Sequence, residues 1–298
     1  MLYDATEHSL EASDGWTLGL LEWVPRAEEK GTILLGHAMM ADRRSLIRED
    51  RPCIATTFVN RGFRVIAADA RGHGQSGPKA QEGGEWTYHD LINDTGPLLA
   101  FARSRSQGHP VYTFGHSLFG HTSLAWVGRN AAHSPDAMIA VGVNIWCKQW
   151  EPSSIRWLKK RWTHLLMKSI TGVVGRFPAR ALKVGSMDES RAYLQHFYDS
   201  VEKNVWADED GHSYHPTLKN IPCPVLHVLS PGDAVIGDPE SSGNYLRILG
   251  AQRIPMILGA GNTWSLPEDL NPDHMELLTS PESEPMWDRI ASWLEGLP

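Results

Sequence analysis

Ser117 stands where this chain could best perform nucleophilic chemistry. It ends the apolar, β-prone run 111–116, and the helix-compatible stretch Thr122–Gly128 follows closely. A serine at a strand-to-helix turn is held in a strained conformation that lifts its hydroxyl clear of the sheet. The next helix offers free N–H groups and the positive end of its dipole to an oxyanion. The pattern predicts a nucleophilic serine, although Gly-His-Ser turns also arise in proteins by chance.

The surrounding elements must place this serine at the edge of a sheet. Short apolar runs, too short for helices, predict buried strands. They alternate with helix-compatible stretches, which implies parallel pairing through right-handed crossovers. The predicted strands are Thr32–His37, Phe63–Asp69, 111–116, Ala137–Ile145, Pro224–Leu229 and Ile254–Leu258, and the predicted helices include Arg51–Arg61, Tyr88–Arg103 and Glu284–Leu297.

Two features complete the predicted sheet. An Asp-Gly turn at Ser13–Trp16 separates the runs His8–Ala12 and Thr17–Trp23, which indicates an antiparallel hairpin at one edge. In open parallel sheets the functional site lies at the carboxyl ends of the strands, where Ser117, His37 and Asp69 fall. The expected fold class is α/β, with a mostly parallel central sheet flanked by helices.

Five segments follow one another along nearly the whole chain: Leu35–Met40, Ala68–Gly77, Gly115–Gly120, Leu229–Asp233 and His274–Pro281. In this order they resemble the α/β-hydrolase fold superfamily. The segment His274–Pro281 resembles the histidine region of monoglyceride-lipase-like and serine-aminopeptidase-like members, and the region between Trp146 and Ile221 is similar to uncharacterised bacterial predicted hydrolases.

The resemblance implies a Ser-Asp-His triad in the chain order expected for this fold. A serine hydroxyl is a poor nucleophile until a base takes its proton, and the base needs a third group to fix its tautomer. Asp233 follows the strand Pro224–Leu229, where the family's acid lies. Asp238 competes with it, but Asp238 precedes Pro239 and could instead cap the next helix.

His274 is the expected base among fourteen histidines. The family's base follows the last strand, yet Asn262 occupies the place where many relatives have histidine, and Asn262 cannot act as a base. His274 comes next, after a long loop and before the C-terminal helix. Other histidines are assigned to the architecture, to the flanks of the nucleophile or to the insert, and these are His37, His73, His116, His121, His212 and His215.

Phe119 departs from the Gly-x-Ser-x-Gly pattern, and Gly120 follows it instead. The strand and the helix pass very close at this turn, so either smaller neighbours accommodate the phenyl ring or the turn adopts a slightly different shape. The tetrahedral intermediate also needs two N–H donors. The resemblance implies the backbone amides of Leu118 and Met39, or Ala38 if the alignment slips by one residue.

The stretch from 148 to 220 interrupts the α/β rhythm and is expected to form a helical cap inserted after the sixth strand. Residues 1–147 and 221–298 would form the core. Helical periodicity covers Ser153–Ser169 and Met187–Lys203. Five tryptophans in and beside the insert indicate either an aromatic cavity over Ser117 or the packing that holds the cap: Trp146, Trp150, Trp157, Trp162 and Trp206.

Composition is that of a soluble catalyst of 298 residues. A net charge of −7 argues against nucleic-acid partners, and the basic run Arg156–Trp162 is expected to be the solvated face of a helix. No apolar run is long enough for a membrane span, the N-terminus lacks the pattern of a signal peptide, and three scattered cysteines fit a reducing compartment. We expect a cytoplasmic protein without cofactor or metal, whose oligomeric state stays open.

These features predict a serine hydrolase that cleaves an ester or an amide of a small or lipid-like molecule with an apolar acyl group. An acyltransferase would use the same triad. A catalytically silent ligand-binding protein would keep the fold and the pocket, and Phe119 and Asn262 favour that alternative.

Overall fold

The computed structural model describes residues 3–298 and contains one sheet of eight strands. The strands are β1 Tyr3–Glu11, β2 Thr17–Pro25, β3 Gly31–Gly36, β4 Phe63–Ala68, β5 Val111–His116, β6 Ala137–Val141, β7 Val225–Leu229 and β8 Arg253–Ile257. Their order across the sheet is β1-β2-β4-β3-β5-β6-β7-β8. Strands β3 to β8 pair in parallel, and β1 and β2 form the predicted antiparallel hairpin at one edge. The mostly parallel sheet is confirmed.

Helices cover both faces of the sheet. They are α1 Ile54–Asn60, α2 Tyr88–Asn93, α3 Thr95–Arg105, α4 Leu118–Arg129, α5 Ser154–Val174, α6 Ala179–Leu182, α7 Arg191–Lys203, α8 Pro239–Tyr245, α9 Glu276–Thr279 and α10 Glu284–Glu295. Helices α1 and α10 pack together into the hydrophobic core on one face, and α3 and α4 contribute to the core on the other. The sheet is thus buried on both sides, which explains the uninterrupted apolar character of its central strands.

Three predicted boundaries were wrong. The expected helix Tyr88–Arg103 is two helices, and Asp94 at their junction accepts two hydrogen bonds of 2.7 Å from Arg71. Helix α4 begins at Leu118 rather than at Thr122, because Gly120 lies within its first turn instead of ending a loop. Strand β6 stops at Val141 because Gly142 has a φ of +60°.

The insert consists mainly of α5, α6 and α7, and α5 packs against α7. A buried ionic cluster ties α5 to the core. Lys160 of α5, only 1% exposed, donates to Glu151 at 2.7 Å and to Asp238 at 3.3 Å. Asp238 also accepts a 2.9 Å hydrogen bond from the amide of Ser241, so it caps α8 as anticipated.

The outer face of α5 differs from the expected solvated basic face. Ile155, Leu158 and Trp162 expose more than half of their surface, with Lys159 between them, while Lys160 turns inward. The expectation was incomplete because it followed the charges and not the helical spacing of the apolar residues. Within residues 3–298, every helix is too short or too polar to cross a lipid bilayer.

We predict that Lys160→Met lowers the free energy of unfolding by about 3 kcal/mol, because it leaves two buried carboxylates short of a partner. Arg156 also contacts both of them, which limits the loss. Denaturant unfolding measures the effect. Lys159→Met, on the exposed neighbour, is the matched control, and equal stability of the two variants would contradict the prediction.

Candidate active site

Ser117 lies in a strained turn between β5 and α4, as the sequence predicts. Its φ of +50° and ψ of −107° fall in a region that side chains other than glycine rarely occupy. The amide of Ser117 donates a 2.9 Å hydrogen bond to the carbonyl of Val141, which fixes the turn against β6. Helix α4 begins with the next residue, so its free N–H groups start beside the serine.

Three glycines permit this turn. A Cβ atom at Gly115 would overlap the backbone of Gly120, so strand and helix are in direct contact there. A Cβ atom at Gly36 of β3 would overlap the phenyl ring of Phe119. The ring therefore occupies the space that Gly36 leaves empty. The expectation that smaller neighbours accommodate Phe119 is confirmed, and Gly120 allows the close approach usually provided one residue earlier.

Asp233 and His274 meet beside this turn. The Nδ1 atom of His274 lies 2.5 Å from a carboxylate oxygen of Asp233, and both residues are more than nine-tenths buried. The other carboxylate oxygen accepts a 3.2 Å hydrogen bond from the amide of Ile236. The carboxylate can therefore hold the imidazole in one orientation and leave Nε2 free to accept a proton.

Gly142 connects this pair to Ser117. It directly follows Val141, whose carbonyl binds the Ser117 amide. A Cβ atom at Gly142 would lie 3.2 Å from Nδ1 of His274 and 3.5 Å from the carboxylate of Asp233. Position 142 thus needs glycine both for its positive φ and for the room taken by the two side chains. This role was not predicted, because Gly142 falls inside the predicted strand Ala137–Ile145; a glycine within that apolar run was a usable signal.

Asn262 stabilises its own loop. Its amide donates 2.9 Å hydrogen bonds to the carbonyls of Gly259 and Leu266, and its side-chain oxygen accepts from the amides of Trp264 and Leu266. These bonds organise the start of the long loop between β8 and His274. Asn262 therefore stabilises the loop that leads from β8 to His274.

His116 forms a hydrogen bond with the backbone of His274, a role that was not predicted from the sequence. It is fully buried, and its Nε2 atom donates to the backbone carbonyl of His274 at 2.9 Å. The two rings lie 4.8 Å apart. Burial lowers the pKa of His116 well below its usual value, so the ring stays neutral.

The loop after β3 presents backbone amides near Ser117. The amide of Met40, which has a φ of +60°, donates to Glu189 of the insert at 2.6 Å. The amides of Met39 and Leu118 donate to no group within residues 3–298. Both residues line one cavity with Ser117, whereas Ala38 does not. Two amides without a partner in the described part of the chain therefore lie where an oxyanion hole is expected.

That cavity measures about 70 Å³ and lies between the core and the insert. Its wall is largely aromatic and includes Tyr88, His121, Trp146, Phe197 and Trp206. Two of the five tryptophans of the insert region thus reach the cavity. Trp150 packs in the core, and Trp162 is exposed. A wider groove of about 660 Å³ opens on the other side of Met39 and reaches Met275.

Comparison with known proteins identifies the class. Residues 50–201 match the family model described as serine aminopeptidase, S33. The match covers more than half of the chain, and the chain belongs to this family of α/β hydrolases. No curated protein matches the sequence significantly.

Solved structures agree in fold. The chain is similar to an esterase from Exiguobacterium antarcticum, with a TM-score of 0.63, 14% identity and coverage of 98% of this chain and 100% of the esterase. It is also similar to a thermophilic esterase from Thermogutta terrifontis, with a TM-score of 0.59, 15% identity and coverage of 98% and 99%. The chain is similar as well to a lipase in its open form, with a TM-score of 0.64, 16% identity and coverage of 99% of both chains. These similarities establish the α/β-hydrolase fold.

We predict that Gly36→Ala destabilises the protein by about 1–3 kcal/mol, because its methyl group meets the Phe119 ring in a close-packed core. Phe119→Gly in the same chain should remove most of this penalty. A double-mutant cycle by denaturant unfolding measures the coupling. Gly172→Ala, where nothing lies within 4 Å of the added carbon, is the control. Additive effects of the two substitutions would refute the contact.

Proposed function

We propose that this protein is a serine hydrolase that cleaves a carboxylic ester, or an amide, of a small apolar molecule through an acyl-enzyme. The observation that carries the proposal is the buried Asp233–His274 pair packed against Gly142, next to the strained turn of Ser117. Family membership supports the same chemistry, and the names of the structural neighbours, two esterases and a lipase, favour esters.

In the proposed first step, Ser117 Oγ attacks the carbonyl carbon while Nε2 of His274 accepts the hydroxyl proton. Asp233 stabilises the resulting imidazolium. The amides of Met39 and Leu118 donate to the oxyanion of the tetrahedral intermediate. The intermediate collapses to the acyl-enzyme as His274 returns the proton to the leaving alcohol or amine. Water then attacks the acyl-enzyme with His274 as base, and Ser117 regains its proton. No cofactor takes part.

The groove and the cavity both border Met39, and we assign the leaving group and the acyl group of a substrate to them. The leaving group must depart after the first step, and we assign its exit to the open groove of about 660 Å³, which shares Met39 with the cavity. The acyl group stays attached to Ser117, and the smaller cavity of about 70 Å³ includes Ser117 in its wall. We therefore assign the cavity to the acyl group.

Two contacts weigh against the alternative of a catalytically silent ligand-binding protein. Phe119 fills the space above Gly36, and Asn262 stabilises the loop that leads to His274. Neither residue distorts the Asp233–His274 pair. No observation favours an acyltransferase over a hydrolase.

Labelling with a fluorophosphonate tests the nucleophile. We expect one adduct on wild type by intact mass, no adduct on Ser117→Ala, and labelling slowed by about 10⁴-fold in His274→Ala, because the hydroxyl then lacks its base. Asp233→Asn should slow labelling comparably, since the imidazole loses its tautomer. His212→Ala, at an exposed position of the insert, serves as the control. Folded wild type that stays unlabelled would sink the proposal.

The size of the cavity predicts short acyl groups. Its volume of about 70 Å³ is far below the roughly 300–1,000 Å³ of pockets for drug-sized ligands. Among p-nitrophenyl esters of plain alkanoic acids, kcat/KM should be highest for acetate or butanoate and about tenfold lower for octanoate. Phe197→Ala should shift the preference toward longer chains, and Trp162→Ala, an exposed tryptophan of α5, should not. A wild-type preference for octanoate would contradict the assignment.

A further inference from the structure

His121 is a polar residue in the wall of the aromatic cavity. It lies on α4, one turn beyond the nucleophile, and its amide donates to the carbonyl of Ser117 at 3.1 Å. The imidazole is therefore held at a fixed position relative to Ser117. It is half-buried and belongs to the same cavity wall as Ser117. The catalytic steps proposed above give it no role.

A chain of hydrogen bonds determines which nitrogen of His121 carries the proton. Trp206 donates from Nε1 to the hydroxyl oxygen of Tyr88 at 2.9 Å, and this hydroxyl lies 2.5 Å from Nδ1 of His121. If Nδ1 also donated to Tyr88, the hydroxyl proton would be buried without an acceptor, at a cost of about 1–3 kcal/mol. Tyr88 therefore donates to Nδ1, and the proton of the neutral ring is on Nε2.

Among the described residues, this Nε2–H group has no hydrogen-bond partner. It is also not among the side-chain nitrogens that are sealed from solvent, in contrast to Nε2 of His196 nearby. Since His121 lines the cavity, Nε2–H is a donor that an occupant of the cavity can reach.

The donor is neutral. Burial lowers the pKa of His121 to about 3 and that of His196, on the same wall, to about 4. The cavity therefore offers a hydrogen bond without a positive charge. Such a site suits a carbonyl or ether oxygen better than a carboxylate, which would lose its hydration without gaining a counter-charge.

We propose that His121 Nε2–H binds a neutral oxygen acceptor on the acyl group, so that the preferred substrates are esters of short oxo- or alkoxy-acids rather than of plain alkanoic acids. Tyr88 and Trp206 act as positioning residues that fix the imidazole tautomer. The inference rests on the proposed serine hydrolase function and adds the class of acyl group that the site selects.

Two pairs of p-nitrophenyl esters test this subsite. In each pair an oxygen acceptor in the acyl chain is matched to its plain-chain analogue: 4-oxopentanoate with pentanoate, and methoxyacetate with butanoate. The readout is the ratio of kcat/KM within a pair, compared between enzymes, which cancels the intrinsic reactivity of the esters. We expect the wild-type ratio to fall by about tenfold or more for at least one pair in His121→Phe, because a site built to hydrogen-bond a substrate discriminates strongly against an analogue that lacks the partner.

Three further variants separate the donor from the shape of the cavity. His121→Gln places an amide N–H near the position of Nε2 and should retain much of the wild-type ratio. Tyr88→Phe removes the group that fixes the tautomer and should give an intermediate ratio. Phe197→Leu alters the wall without touching a polar atom and should leave the ratio unchanged, whatever its effect on rate.

Fluorophosphonate labelling of Ser117 in every variant distinguishes the two levels of the proposal. Normal labelling with equal ratios in wild type and His121→Phe would overturn the subsite and leave the hydrolase intact. Wild type that neither labels nor hydrolyses any of the esters would overturn both. A ratio that falls equally in Phe197→Leu would assign the discrimination to cavity shape and also overturn the subsite.

Discussion

The positive φ of Ser117 is the constraint on which the site depends. A non-glycine residue in this conformation costs on the order of 1–3 kcal/mol, and it persists only where the surroundings enforce it. Here β5 is fully buried between β3 and β6, and Gly115 and Gly120 bring strand and helix into contact. The sheet thus supplies the free energy that keeps the serine hydroxyl raised above its edge.

The insert also helps to fix the backbone next to Ser117, through Glu189. Glu189, fully buried, binds the amide of Met40 and also accepts from Nε2 of His73 at 3.2 Å. Burial alone would lower the pKa of His73, but the charge of Glu189 raises it overall. Met40 itself has a positive φ, and this carboxylate holds the loop in which the Met39 amide has no partner among residues 3–298. Release of the insert would therefore disturb the site as well as uncover it.

Local patterns predicted what depends on neighbours in sequence. Buried strands, the turn at Ser117 and the N-cap at Asp238 are each specified within a few residues, and all are present. The bond between Glu189 and Met40 spans 149 residues, and the Trp206–Tyr88 bond spans 118. Such contacts depend on how the insert packs on the core, which no local pattern encodes. The break at Asp94 was missed for the same reason, since Arg71 pairs with it from another loop.

The histidines around Ser117 divide by the chemistry of their partners. His37 lies between the carbonyl of Ala38 and the amide of Ala70, so one ring nitrogen donates and the other accepts. His121 likewise accepts from Tyr88 at one nitrogen. Protonating either ring would set an N–H group against another donor, and burial lowers the pKa of both. His274 instead faces the Asp233 carboxylate, and the attraction between the two groups becomes stronger when the ring is positively charged. In the proposed mechanism, these partners therefore direct the proton of Ser117 to His274 and not to the other imidazoles.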